Sequence, residues 1–131
     1  MLVKAIKHML KQLKPLLEKA KKDKDVVAVM LFGSAARGEK HRDIDVAIVL
    51  YPKKYKALKM SDIKLKYAAI SDALDVTVFQ QLPLYIQKRV IKDGKLLMCK
   101  DDDAFYDVVF ESIRAFEDFM PKYKLFLEAQ V

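Results

Sequence analysis

Seven consecutive apolar residues, Val26 to Phe32, run directly into the dipeptide Gly33-Ser34. A run of that length with no polar face suits a strand covered on both sides, so a layer must pack above it and another below. After eight intervening residues, Asp43-Ile44-Asp45 opens a second apolar run that ends at Leu50. A third follows in Leu74-Asp75-Val76-Thr77-Val78. The first two runs are joined by a short loop and should pair antiparallel, whereas a helix-length crossover separates the second from the third and makes them parallel. Parallel neighbours start at one end of a sheet. Asp75 should therefore arrive beside Asp43 and Asp45, at the edge where Gly33-Ser34 turns.

The 131 residues are enough for one domain spanning 1–131 with a real core. With 53% apolar and 33% charged residues the chain reads as globular, not disordered. No apolar stretch approaches the ~20 residues of a membrane span. Lys4, Lys7, Lys11 and Lys14 interrupt the N-terminal apolar residues, so we expect a cytoplasmic protein with no targeting segment and no membrane partner. Cys99 is the single cysteine, which excludes an internal disulfide, and its apolar neighbours suggest a buried structural thiol. The net charge of +7 is mostly lysine spread over amphipathic segments, with few aromatics among them. A specific nucleic-acid face is not expected. High lysine with three glycines suits a heat-adapted source.

Helical spacing of Leu2, Ile6, Leu10, Leu13 and Leu17 predicts an N-terminal helix over 2–21, kinked or interrupted at Pro15. Ser34 is the expected N-cap of a short helix through Arg37, and Gly38 turns the chain into a polar loop, 39–42. Strand 43–50 is followed by a helix of about 16 residues ending near Asp72. Strand 75–79, a helix started by Pro83 and closed by Gly94, and strand 95–99 complete a core over 26–100. Asp101-Asp102-Asp103 then opens a helical segment, 102–129, that Pro121 is expected to split. Three acids in a first turn favour the helix dipole and one can cap it, with metal binding the minor alternative. Phe105, Phe116, Phe119, Tyr123 and Phe126 form a stripe along this segment. We expect it to cover the sheet or the first helix, docking a partner being the alternative. The fold class is α/β (α+β), a mixed sheet of about four strands with flanking helices.

Residues two apart on a strand share a face, so Asp43 and Asp45 project together. Neighbouring carboxylates repel, and at least one should hold its proton more tightly than usual. A divalent cation relieves that conflict, and oxygen ligands of this kind suit magnesium, which keeps sites for water and phosphate. Gly33 lets the backbone approach a ligand, and Ser34 with the free amides of the short helix attracts phosphate oxygens. Two ions ~3.5–4 Å apart could align an attacking hydroxyl, an α-phosphate and a leaving pyrophosphate. Asp75 would then ligate the metal that activates the hydroxyl, or accept its proton.

The stretch Leu31-Phe32-Gly33-Ser34-Ala35-Ala36-Arg37-Gly38 through Asp43-Ile44-Asp45-Val46-Ala47 resembles the minimal nucleotidyltransferase (MNT) family of the DNA polymerase β-like superfamily. Leu74-Asp75-Val76-Thr77-Val78 looks like that family's third acidic element, and Leu82-Pro83 to Leu97 like its following helix and strand. The resemblance implies a nucleotidyltransferase fold, two Mg2+ ions, and transfer of a nucleoside monophosphate from a triphosphate, commonly ATP. On this reading Gly33 and Ser34 bind the triphosphate, Asp43 and Asp45 ligate metal, and Asp75 is the third catalytic and metal-binding carboxylate. Arg37 is a phosphate contact or a surface ion pair. Two departures stand out: a short interval between Ser34 and Asp43, and Arg42 where a small hydroxyl residue is common. His8 and His41 receive no role. Family members of this size often attach AMP to a toxin ribonuclease of the higher-eukaryote-and-prokaryote nucleotide-binding (HEPN) fold, acting as antitoxins. A protein hydroxyl is thus the leading acceptor, with homo- or hetero-oligomers left open. A non-catalytic binding module and a small-molecule nucleotidyltransferase are the alternatives.

Overall fold

A computed structural model describes residues 2–39 and 43–129, with side chains from Lys7 onward. Residues 40–42 of the polar loop, including His41 and Arg42, therefore lie outside the described residues. Four strands, β1 (Val26–Phe32), β2 (Ile44–Leu50), β3 (Leu74–Val78) and β4 (Lys95–Cys99), form one sheet in the order β3-β2-β1-β4. β1 pairs antiparallel with β2 and with β4, while β2 and β3 are parallel. The helices are α1 (Leu2–Lys22), α2 (Gly33–Ala36), α3 (Ala57–Ala68), α4 (Leu84–Asp93) and α5 (Asp102–Ala129), with a 3-10 turn at Phe79–Gln81.

The two-sided burial expected of β1 is met by two apolar clusters. Val29, Leu31, Val46, Ile48, Val76 and Val78 join Leu13 and Leu16 of α1 and Ile63 and Tyr67 of α3 on one face. Val27, Met30, Ala47 and Val49 join Phe79, Val90 of α4 and Val108 of α5 on the other. The alternation along β2 follows from the two-residue strand period, and it puts Asp45 and Asp75 on the face that α4 and α5 cover.

Several boundaries differ from the sequence expectation. α1 and α5 run unbroken through Pro15 and Pro121. Both prolines are exposed, so water can satisfy the carbonyl that each leaves without an amide partner. α3 stops at Ala68, because Ser71 Oγ accepts the Ala73 amide at 3.2 Å and draws the backbone into a turn. Ser34 does not cap α2: the cap position is Phe32, with no side-chain hydrogen bond. Gly33, at φ +72°, already starts the turn one residue earlier. At α5 the cap is Asp101, whose Oδ1 accepts the Ala104 amide at 3.1 Å. Gly94 closes α4 in an extended conformation, where a Cβ would collide with Val90 O and lie 3.1 Å from Leu31 O. Cys99 is half-buried rather than buried, and burial pushes its thiol pKa up.

The aromatic stripe divides. Phe105 packs on the second cluster and Phe116 is half-buried, but Phe119, Tyr123 and Phe126 are exposed, Phe126 by 60%. From Phe119 onward the stripe lies in solvent, so the expected cover reaches only its first half.

The rim opposite the aspartates is tied by side chains. Gln80 pairs with both backbone groups of Leu50, at 3.2 and 2.8 Å. Lys100 Nζ donates to Ala20 O and Asp23 O at the end of α1, at 3.0 and 2.5 Å. Tyr67 OH donates to Asp23 Oδ2 at 2.9 Å, and Lys53 and Lys59 stand 3.6 and 3.4 Å from the nearly buried Asp25. Across the second face, Gln87 Nε2 donates to Phe79 O and Leu82 O, while Ser112 Oγ donates to Gln87 Oε1 at 2.6 Å. Among the described residues no helix is long and apolar enough to cross a membrane.

Candidate active site

β2 and β3 begin together at the open rim, and their register places Asp45 directly opposite Asp75. The helical crossover through α3 makes this inevitable once the strands are parallel: the second residue of each strand is an aspartate. On its other side Asp45 faces Phe32, the last residue of β1, so the Gly33 turn arrives at the same place. Gly33 is pressed against the Asp45 carboxylate. A Cβ there would run into Oδ2 and lie 3.1 Å from Cγ, and the φ of +72° is one that only glycine adopts freely. Two independent constraints thus require glycine at position 33.

Electrostatics follow from this crowding. Asp45 is half-buried, and burial is the largest reason its pKa is raised; the Asp75 charge, a hydrogen bond shared with Asp75 and the Asp43 charge add to it. Arg37 acts in the opposite direction. Asp43 sits just before β2 and is exposed, as is Asp75. The three acids therefore interact, but unequally: Asp45 and Asp75 form the contact pair, with Asp43 beside them.

Arg37 follows α2 and is exposed, its Nε donating to Glu39 Oε1 at 2.8 Å and to Oε2 at 3.3 Å. That contact, with Glu39's charge, raises the guanidinium pKa above its ordinary value. Here Arg37 is an ion pair. Ser34 is half-buried in the turn, and its backbone carbonyl accepts the Glu39 amide at 2.9 Å. Next to Gly33 lies a cleft of about 160 Å³ between α2 and α4, lined by Phe32, Arg37, Ile86, Arg89, Val90 and Asp93. Arg89 and Asp93 escaped the sequence reading. On an amphipathic helix they look like ordinary solvated charges, and only the packing of α4 beside Gly33 gives them a place in the site.

Among the described residues no three His, Cys, Asp or Glu side chains form a complete cage for a metal. Magnesium does not demand one. It commonly takes one or two carboxylates and fills its remaining positions with water and substrate phosphate. A desolvated carboxylate pair whose members repel fits that ion well, and the Asp101–Asp103 run, engaged in capping α5, offers no comparable pair.

The strand order, the acidic pair and the glycine elbow define the class. The chain belongs to the polymerase beta nucleotidyltransferase family, whose sequence pattern matches residues 11–103. Among individual relatives, a Methanocaldococcus jannaschii protein named "putative protein adenylyltransferase" is 31% identical over 74 residues, 55% of each chain. The match thus spans about half the length of that curated relative. In fold, the chain is similar to one in a crystal structure of a toxin-antitoxin with AMP-PNP, at a TM-score of 0.63 and 18% identity over 92% of this chain and 94% of that one. It is likewise similar to a chain in the structure of a tri-AMPylated Shewanella oneidensis HEPN toxin in complex with its MNT antitoxin, at 0.61 and 16% over 98% of both.

Proposed function

We propose that this protein transfers AMP from ATP, in a magnesium-dependent reaction, to a hydroxyl on a partner protein, and that the partner is a HEPN-type toxin which the transfer silences. The observation that carries the reading is the in-register meeting of Asp45 and Asp75 against Gly33. Asp45 and Asp75, with Asp43 beside them, are the residues that would hold magnesium. When bound, the ion supplies positive charge to the triphosphate and makes the acceptor hydroxyl more acidic.

The chain's own groups supply the rest. The turn at Gly33 and Ser34 lets a triphosphate approach the backbone closely beside the acids. Asp75, the more exposed of the contact pair, is placed to take the acceptor's proton. The acceptor oxygen forms a bond to the α-phosphorus as the bond from that phosphorus to the α,β-bridging oxygen breaks. The electron pair leaves with pyrophosphate, and the acceptor's proton passes through the carboxylate to water.

A protein acceptor is supported by the exposed Phe119, Tyr123 and Phe126 on the free end of α5, an apolar face suited to another polypeptide. The AMP-PNP and tri-AMPylated toxin of the fold relatives favour adenylyl transfer in the same sense. The test is incubation of the protein with α-32P-ATP, magnesium and a candidate HEPN-type partner from the same source. Label on the partner, absent with Asp43→Asn/Asp45→Asn, supports transfer. Neutralisation of the partner that persists undiminished in that double variant, with no label in the parent, overturns it in favour of a contact-only antitoxin. Label appearing solely on added small-molecule hydroxyls overturns the protein acceptor.

A further inference from the structure

We propose that the outer edge of α5 pairs with the same edge of a second copy of this chain, the two helices running antiparallel in a two-fold dimer. None of the residues on that edge belongs to the proposed transfer site, so the pairing stands or falls apart from that reading.

Periodicity gives the edge its shape. Tyr106, Ile113, Met120 and Leu127 recur at seven-residue intervals along α5, and Phe110 stands one turn beyond Tyr106. A seven-residue repeat keeps one line of a helix facing one neighbour, which suits a partner helix laid alongside. That line is bare: Tyr106 is 58% exposed, Phe110 62%, Ile113 39% and Leu127 45%. It lies roughly 100° around the helix from Phe119 and Phe126, so it is a second face and leaves those rings free for an acceptor protein. A cleft of about 170 Å³ between α4 and α5 adjoins the line at Ile113 and Glu117, so a helix laid there meets a concave surface.

Charge names the occupant. Asp107, Arg114, Glu117 and Lys124 flank the line and are exposed, and among the described residues none of these four side chains has an ion-pair or hydrogen-bond partner. Set antiparallel with Asp107 level with Lys124 of the second copy, the helices also bring Arg114 level with that copy's Glu117 and Phe110 beside its Met120. The two-fold repeats each contact, and Arg114 and Glu117 of both copies then alternate in sign around the axis. A parallel pairing in register would put every charge beside its own like. One clash remains in the antiparallel register, Asp103 beside Glu128 at the two ends.

Sedimentation equilibrium of the full chain over a range of concentrations, with circular dichroism to check that each variant folds, is the experiment. The parent should form a dimer. Phe110→Ala removes two interface rings and should weaken it about a hundredfold or more. Lys124→Glu or Asp107→Lys alone sets like charges together twice and should weaken it about tenfold, while the two combined should restore the parent's dimer. Glu128→Lys relieves the end clash and should tighten it. A parent that stays monomeric at every concentration overturns the proposal, and so does a dimer indifferent to Phe110→Ala or one that the double reversal fails to restore. A dimer broken by Phe119→Ala but not by Phe110→Ala pairs through the other face and overturns it too. If the parent is monomeric and Phe110→Ala abolishes capture of a candidate HEPN-type partner, the edge belongs to that partner and self-pairing falls.

Discussion

Replacing Asp45 with asparagine should make the metal-free protein more stable while abolishing transfer. In the parent, two carboxylates stand opposite one another on adjacent strands, and the one at position 45 is partly withdrawn from water. Like charges across a strand pair cost roughly 0.2–1 kcal/mol, and the amide removes that cost without changing shape. For a domain of this size the gain corresponds to a rise of about 1–4 °C in melting temperature. The sign of the pH dependence follows from the raised pKa. An unfolded aspartate titrates near ~3.9, and the folded Asp45 titrates above that. Between the two values the folded chain binds the additional proton, so stability falls as pH rises through this window and the full deficit persists above it. The variant should therefore outlast the parent at pH 7.5, and its advantage should shrink as pH drops toward the unfolded value. On the proposed reading, in which the folded pair holds magnesium, the ion should raise the parent's melting temperature and leave Asp45→Asn nearly unmoved. Thermal unfolding followed by circular dichroism, with and without magnesium, measures all of this. An Asp45→Asn protein that melts at or below the parent at pH 7.5 without metal would refute the like-charge argument.

Gly33→Ala should cost about 1–2 kcal/mol from its backbone conformation alone, and its methyl must also push Asp45 aside. Transfer should fall much further than the melting temperature indicates, a split seen by running both assays on one preparation. Ser112→Ala leaves the buried Gln87 Oε1 without its donor, which should destabilise by about 1–3 kcal/mol in urea titration and leave the affinity for nucleotide unchanged.

What the residues disclosed in advance is specific. Asp75 lands on Asp45 because crossover length fixes strand direction, and an aspartate stands at the same place in both runs. The unbroken apolarity of Val26–Phe32 likewise announces layers on both faces. Other features depend on information that no local pattern holds. Serine is a better cap than phenylalanine by propensity, yet the positive φ of Gly33 starts α2 early and leaves Ser34 inside it. Pro15 and Pro121 read as breaks, but each faces solvent where water can serve the freed carbonyl. The stripe of α5 has one helical period throughout, and nothing in that period tells where the sheet beneath it ends. Arg89 is the extreme case: its helix repeat is ordinary, and its interest comes from a neighbour 56 positions earlier, Gly33.

The ties along the far rim divide the domain into a stiff heel and a yielding toe. Lys100 anchors the tail end of the N-terminal helix to the junction after the last strand, and Gln80 seals the exit of β2, so thermal opening has few places to begin there. Amide exchange should be slowest around Leu50 and Val27 and fastest toward Asp43. Ordering by a ligand would then be spent almost wholly at the end that carries the aspartates, and the scaffold behind it need not rearrange when that ligand leaves.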